Sequence, residues 1–542
     1  MKRVLAAFLA VLFCAFFTAC HGNDGSLFKY DLESEPANLD PQSAEDYASL
    51  MVIRNIFEGL LTIGDDGKLR EGVATNWSMS EDGLRYTFEL RKNAMWSDGE
   101  TPVTAHDFVF AFQRLFTPET NAPQASAFFC IKNAEAASLG RLSAKEIGVS
   151  AENDYRLVFE LSYPNAMFLQ LLTTAPAMPC NEAFFNSTKG KYGLEAKTKI
   201  DKKTVYLTMG NGPFYLNTWS HNSYLSLKKN EYYHSAAEVL PSGVTFSIYN
   251  KKEDKLPFDE YRLSRFQEEE TDALAVTGEL YSQITGRGYQ SNAYETTTWG
   301  ILINQADPSL SNRSIRQALL YLQDTEAYSS VLHADYKPAR ALIPHGITML
   351  DQSYRGYAGD SLLPDYDPVR AKTLFDKGLA ELGLDKLENI TILVSEPEQE
   401  NLFGYLSQIW QRELGFYVKV ELVSASDLEK RLSGRSFQLA FYSLSGAYNS
   451  PDSILEQFVT GRGNNYAGYS NREYDAYMSN GLKSFDMAKS AECFKNAERL
   501  LAEDGVFLPL YYQQEYFVFR EKTSGIQYEP QSKLVSFAHA KK

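Results

Sequence analysis

The chain has 542 residues and a formal net charge of -16, from 53 Lys and Arg against 69 Asp and Glu. Its length exceeds the roughly 250–300 residues at which a single core stops growing, so two or three lobes are expected. A chain this acidic has no broad basic face, which argues against nucleic-acid binding.

In chain order, residues 1–20 read as targeting sequence. Lys2 and Arg3 form a basic start, 4–17 an apolar run, and Thr18 and Ala19 a small-residue approach to Cys20. The run is shorter than the roughly 20 residues that span a bilayer. The pattern resembles a lipoprotein signal, which predicts cleavage before Cys20 and lipid on its thiol and amine, although Phe17 stands where Leu is usual. Removing residues 1–19 takes away two cations and no acid, leaving a charge of -18. Residues 21–26 read as a polar tether. Cys130, Cys180 and Cys493 remain, with no C-x-x-C spacing. Export leaves both a Cys130–Cys180 disulfide and buried free thiols open.

Residues 77–114 carry three consecutive local signals. Leu84, Tyr86, Phe88 and Leu90 alternate with Arg85, Thr87, Glu89 and Arg91, the period of a half-buried strand. Asp98-Gly99 is a turn, and Thr104 with Asp107 resembles a capping box opening a helix whose Phe108, Phe112, Leu115 and Phe116 share a face. Residues 155–172 add a strand ended by Pro164, then a helical apolar pattern. Asn211-Gly212-Pro213 predicts a turn followed by a hairpin. Further on, 299–304 is strand-like and 311–322 helical, and Asp367 and Pro368 are a good N-cap and first helical residue. The strand, helix and strand of 388–396, 401–414 and 416–423 form a βαβ unit with parallel strands. The nearly continuous apolar run 437–444 predicts a strand covered on both faces.

The segments SEPANLD (34–40), NIFEGLL (55–61), WSMSEDGLRYTFELR (77–91) and WSDGETPVTAHDFVFAFQR (96–114) together resemble the N-terminal signature of the oligopeptide-binding proteins, the peptide-type solute-binding subunits of ABC importers. Agreement continues through 208–234, 464–478 and 497–519, so the resemblance covers nearly the whole mature chain. It implies an α/β protein of the periplasmic-binding-protein-like type II class, with three lobes and a ligand cleft between two of them. By similarity, lobe I takes 20–60, 186–294 and 491–542, lobe II 61–185, and lobe III 295–490. Crossings near 60, 190, 295 and 490 then supply hinges.

No nucleophile elbow, H-E-x-x-H, phosphate loop or dinucleotide fingerprint is present, and the seven His are scattered. An enzyme is therefore not expected, nor a cofactor or metal. The candidate ligand contacts are Glu35, Pro36 and Asn38 before the first crossing, Asn211, Gly212 and Phe214 at the turn, and Ser445, Gly446, Ala447, Tyr448 and Asn449 after the buried strand, at the strand end where α/β sheets bind ligands. Each has a structural rival: Asn211-Gly212 as a turn requirement, Glu35 as a strand-end acid. In typical oligopeptide binders the last segment resembles W-x-x-D-Y-x-x-P, its Asp pairing with the peptide's α-ammonium. Here Leu444, Ala447, Tyr448 and Pro451 match it, without the tryptophan or the carboxylate. An unpaired buried ammonium is costly, so α-amine recognition is expected to be weakened or moved. Asp452 is a substitute, or simply a first-turn helix acid. The resemblance implies a monomer, lipid-anchored on the outer face of a bacterial cytoplasmic membrane, that passes short peptides to permease subunits. Alternatives are the same fold binding an oligosaccharide, opine or metal chelate, or a surface enzyme or adhesin.

Overall fold

The alternating stretch forms the strand Arg85–Leu90, with Tyr86, Phe88 and Leu90 buried, in a computed structural model. The structure describes residues 25–542 except 65–66, 192, 201–202, 253, 329, 333–334, 350–351, 396–399 and 447. Asp98 Oδ1 accepts the Glu100 and Thr101 amides at 3.1 and 3.0 Å, and Gly99 turns the chain at φ 73°. The helix Ala105–Leu115 follows, its first-turn Asp107 accepting the Thr104 amide at 2.7 Å. Phe108, Phe112, Leu115 and Phe116 are all buried on its inner side. The apolar pattern after Pro164 is cut to the single turn Phe168–Leu171.

Three main sheets organise the chain. Leu27–Leu32 lies parallel to Gly243–Ile248, which continues antiparallel through Tyr224–Lys229 to Phe214–Ser220. A second sheet runs Ala74–Met79, Arg85–Leu90, Arg156–Glu160 and Val149–Asn153. The third has seven strands: six along the path Ala273–Thr277, Phe507–Phe519, Gln290–Ile303, Leu439–Leu444, Ile390–Val394 and Val418–Leu422, and Lys337–Pro338 paired with Phe507–Phe519 off it. Its βαβ unit is as expected, since Ile390 pairs in parallel with Val418 and the helix Glu400–Leu414 lies between them in sequence. The buried run becomes Leu439–Leu444, flanked by a strand on either side. Asp367 caps Pro368–Leu382 by accepting the Arg370 amide at 2.9 Å.

The burial pattern gives two main cores rather than one per sheet. The first two sheets share one, from Phe28 through Phe112 and Phe159 to Phe537. The second holds Ile301, Leu319, Trp410, Phe441, Phe494 and Tyr511. A small satellite forms around Phe266 and Val276. The helix Met487–Glu503 is continuous and packs in the second core through Ala491, Phe494 and Leu501. The chain therefore leaves that core along Phe507–Phe519, later than a crossing near 490.

Two long strands, Gln290–Ile303 and Phe507–Phe519, connect the cores. They pair antiparallel from Gln290↔Phe519 to Leu302↔Phe507, with register shifts between Glu295 and Thr297 and between Trp299 and Gly300. Such irregularities bend a ladder locally. Elsewhere, Asn211 staples the chain at a first-core junction: its Oδ1 accepts the Glu58 amide at 3.0 Å, and its Nδ2 donates to the Glu58 carbonyl at 2.9 Å. A Cβ on Gly212 would stand 2.7 Å from the Ile56 carbonyl carbon, so this approach needs glycine. Cys130, Cys180 and Cys493 are free thiols, the first two buried. Cys180 Sγ lies 3.3 Å from an Arg114 guanidinium nitrogen.

Asn211→Ala leaves a buried amide and carbonyl of Glu58 without partners, at roughly 1–3 kcal/mol each. Urea unfolding is expected to register a loss of about 2–4 kcal/mol.

Candidate functional site

The site begins with the helix Tyr47–Ile56. Asp46 caps it by accepting the Ser49 amide at 2.9 Å. Met51, Val52 and Ile56 go into the first core, while Tyr47, Leu50 and Arg54, spaced i, i+3 and i+7, face a cavity of about 860 Å³. The C-terminal segment lies beside this helix: Asn55 Nδ2 donates to the Val535 carbonyl at 2.8 Å, and its Oδ1 accepts the Phe537 amide at 3.1 Å. Helix and segment make the floor, which carries Gln527, Glu529 and Gln531. One wall brings Gln124, Gln170 and 173–175, the opposite wall Thr348, Tyr448 and Asn449, and the back Gln290, Asn292 and Tyr294 from a connecting strand. A volume of this size falls in the ~300–1,000 Å³ range of small-ligand sites.

The two sides of the cleft touch directly beside the cavity. Neighbours Met167 and Phe168 belong to different cores, Met167 being fully buried in the second and Phe168 in the first. The Ala166 amide donates to the Leu482 carbonyl at 3.1 Å, and Gln170 Nε2 to the Asn449 carbonyl at 2.8 Å. Lys483 Nζ sits 5.0 Å from the centroid of the Tyr163 ring. Phe485 covers Gly83, where a Cβ would fall 1.6 Å from the ring.

Of the residues singled out from sequence, Tyr448 and Asn449 line the cavity. Asn449 Oδ1 also accepts the Thr348 amide at 2.8 Å, which orders that wall. Ser445 and Gly446 brace the same loop. The Ser445 carbonyl accepts Gln457 Nε2 at 3.0 Å, and Gly446 packs so close to Ser453 that a Cβ would stand 1.9 Å from its hydroxyl. Ala447 lies outside the described residues. Asp452 is 3 % exposed and does not line the cavity. Its carboxylate accepts the hydroxyls of Tyr448 and Ser450, and burial raises its pKa. Glu456 on the next turn is pushed up by burial to about 7.

The other candidates are structural in position, and none lines the cavity. Glu35 Oε1 accepts Trp219 Nε1 at 2.8 Å and stands 2.9 Å from His221 Nδ1. Pro36 is buried, and Asn38 Oδ1 accepts the Asp40 amide at 2.9 Å in a local turn. Asn211 and Gly212 hold the junction described above, and Phe214 is a fully buried core residue. Expected as contacts, they take no part in lining this cavity, because strand ends and turns near a chain crossing are packed by the backbone they redirect. The floor was missed. Its sequence signals were the helical spacing of Tyr47, Leu50 and Arg54 and the amides in 524–534, neither of which marks a cavity until the two segments meet.

A family model described as bacterial extracellular solute-binding proteins, family 5 middle, matches residues 68–466. The chain belongs to this family of solute-binding proteins. Family 5 relatives span its length. The dipeptide-binding protein DppE of Bacillus subtilis (strain 168) is 28% identical over 501 residues, 92% of this chain and 89% of that protein. The oligopeptide-binding protein OppA of the same organism is 28% identical over 552 residues, 97% of each. The substrate-binding domain of an oligopeptide ABC transporter from Bacillus anthracis str. Ames superposes with a TM-score of 0.74 at 27% identity, covering 95% of this chain and 98% of that one. The class is α/β and periplasmic-binding-protein-like type II, as the family-5 resemblance implied. Among the described residues no helix is long and apolar enough to cross a membrane, and no group of three or more His, Cys, Asp or Glu could hold a metal ion.

Met167→Asp places a carboxylate in an apolar socket, at a cost of several kcal/mol while the cleft is shut. Small-angle scattering of the ligand-free chain is expected to give a larger radius of gyration for the variant than for the parent.

Proposed function

We propose that this chain captures short peptides in the cleft, closes on them, and delivers them to the permease subunits of an ABC importer. The observation that carries this reading is the cavity of about 860 Å³, whose walls come from both sides of the cleft and set neutral amides and hydroxyls among apolar side chains. An extended peptide presents alternating N–H and C=O groups along its whole length, and carboxamides serve both as donors and as acceptors. The relatives' names point the same way, since both Bacillus subtilis proteins are called peptide binders.

Closure is the signal in this mechanism. A ligand favours the closed form only through its differential affinity for that form. Met167 and Gln170 already join the two sides directly, so a peptide adds to an existing contact. Tyr448 and Asn449 act as the second-core wall, and the Tyr448 hydroxyl is held by Asp452. The chain works as a binder rather than an enzyme and as a monomer. It is tethered through lipid on Cys20 to the outer face of the cytoplasmic membrane, with 21–26 as the spacer. The second reading, a solute without an amine such as an oligosaccharide, is favoured by Ala447 standing where the sequence pattern has Asp.

Native mass spectrometry on protein produced from residue 21 onward, offered a tryptic peptide pool and separately a sugar pool, tests the cargo. Retained peptide masses are expected; retention of sugars with no peptides overturns the assignment. For the anchor, Cys20→Ser is expected to move the chain from the membrane fraction to the soluble one and to abolish labelling by radioactive palmitate. Unchanged labelling refutes lipid attachment at Cys20.

A further inference from the structure

Among the described residues, the charged side chains lining the cavity are Glu45, Arg54 and Glu529. The one cation among them is already engaged, with an Arg54 terminal nitrogen 2.7 Å from Glu529 Oε1. Glu529 Oε2 accepts the Ser532 hydroxyl at 3.0 Å. Each carboxylate oxygen has two lone-pair sites, so Glu529 retains acceptor capacity, and its side chain is 30 % exposed. The described lining therefore holds two acids and one cation, the cation paired with one of the acids, a balance that favours a cationic group. On the opposite wall Asp452 is buried behind Tyr448 and accepts the hydroxyls of Tyr448 and Ser450.

Beside Glu529 the floor holds two unused donors. Arg54 Nε and Gln531 Nε2 are both buried without a hydrogen-bond partner, and both residues line the cavity. Leaving such groups unpaired costs roughly 1–3 kcal/mol each, so both side chains gain by turning these buried donors toward a ligand acceptor. A carboxylate flanked by N–H donors complements an ammonium followed at once by a carbonyl. That is the chemistry of an α-aminoacyl end. Across the cavity, Gln170 is 8 % exposed, lines the wall, and carries a buried Oε1 without a partner.

We infer that Arg54, Glu529 and Gln531 form the subsite for the free amino end of the ligand, with Glu529 the specificity-determining acceptor and Arg54 its positioning partner. The inference rests on the peptide reading above. It moves amine recognition from the segment after Leu439–Leu444 to the floor on the other side of the cleft. Ligands with a free amine are then preferred over blocked ones, and an ammonium docked at Glu529 binds the first-core side before the cleft closes.

Calorimetric titration with trialanine and N-acetyltrialanine tests it, on the parent chain and on Glu529→Gln. The parent is expected to bind the free peptide about 10- to 100-fold more tightly than the acetylated one, as a charge-assisted hydrogen bond supplies. Glu529→Gln is expected to erase that difference by weakening only the free peptide. Because the single change strands Arg54, the double variant Arg54→Met with Glu529→Gln provides the same readout if thermal melting shows the single variant unfolded. Equal affinities for the two peptides in the parent overturn the inference. So does a preference that survives at Glu529→Gln, or one that is erased by Asp452→Asn instead, and in all three cases the peptide reading stands. If the parent binds neither peptide and retains none from the tryptic pool, the peptide reading itself falls and the inference with it.

Discussion

The pairing of Gln290–Ile303 with Phe507–Phe519 is the constraint on which the rest of the structure depends. These two strands join two separately packed cores, so any movement between the cores must be taken up along them. Their ladder is irregular where they pass between the cores, at Glu295/Thr297. Each strand carries a buried glutamate near that point, tied in a different direction. Glu295 Oε1 lies 2.6 Å from His345 Nδ1 and Oε2 lies 3.1 Å from Lys337 Nζ, binding one strand to the loops of 337–346. Glu515 accepts the Tyr528 hydroxyl and pairs with Lys533 Nζ at 2.9 Å, binding the other to the C-terminal segment. A ladder anchored on both sides and bent between them suits rotation as two rigid bodies better than diffuse flexing.

This arrangement also explains why the cavity has the composition it has. Its surfaces come from both bodies, and each surface must be tolerably solvated when the cleft is open. Amides and hydroxyls meet that requirement, because they bond equally well to water and to a ligand. Apolar closure is delegated elsewhere, to Met167 in its socket and Phe485 over Gly83. The division leaves amides and hydroxyls available on the binding surface while the bodies still gain from burying nonpolar area. Charge is handled with similar economy: Arg54 and Glu529 neutralise one another across the floor, and Asp452 is sealed behind Tyr448 with its pKa raised by burial.

Much of the local structure was legible in the chain. The alternation of Tyr86, Phe88 and Leu90, the capped helix beginning at Ala105, Asp367 before Pro368, and the βαβ unit around Glu400–Leu414 all depend on neighbours within a few residues, and each formed as read. Crossings were harder. The return from the second core falls within Phe507–Phe519 because Met487–Glu503 runs on unbroken, and a helix gives no local sign of which core it packs against. Of the candidate contacts, Tyr448 and Asn449, which follow the end of the buried strand, line the cavity.

The sequence by itself determined the family, the secondary structure and the absence of known catalytic motifs, since these reside in ordered local patterns that survive at 28% identity. Tertiary structure alone decided which polar residues line the cavity. Glu35, Asn38 and Asn211 look like contacts in a linear reading, but folding turns them onto Trp219, the local backbone and Glu58. Arg54 and Glu529 are 475 positions apart and unremarked in isolation, yet they meet at 2.7 Å on the cavity floor. The physical reason is that a binding surface is an intersection of segments. Its chemistry depends on which hydrogen-bonding groups the fold leaves unpaired, and that cannot be known until every other partner has been assigned.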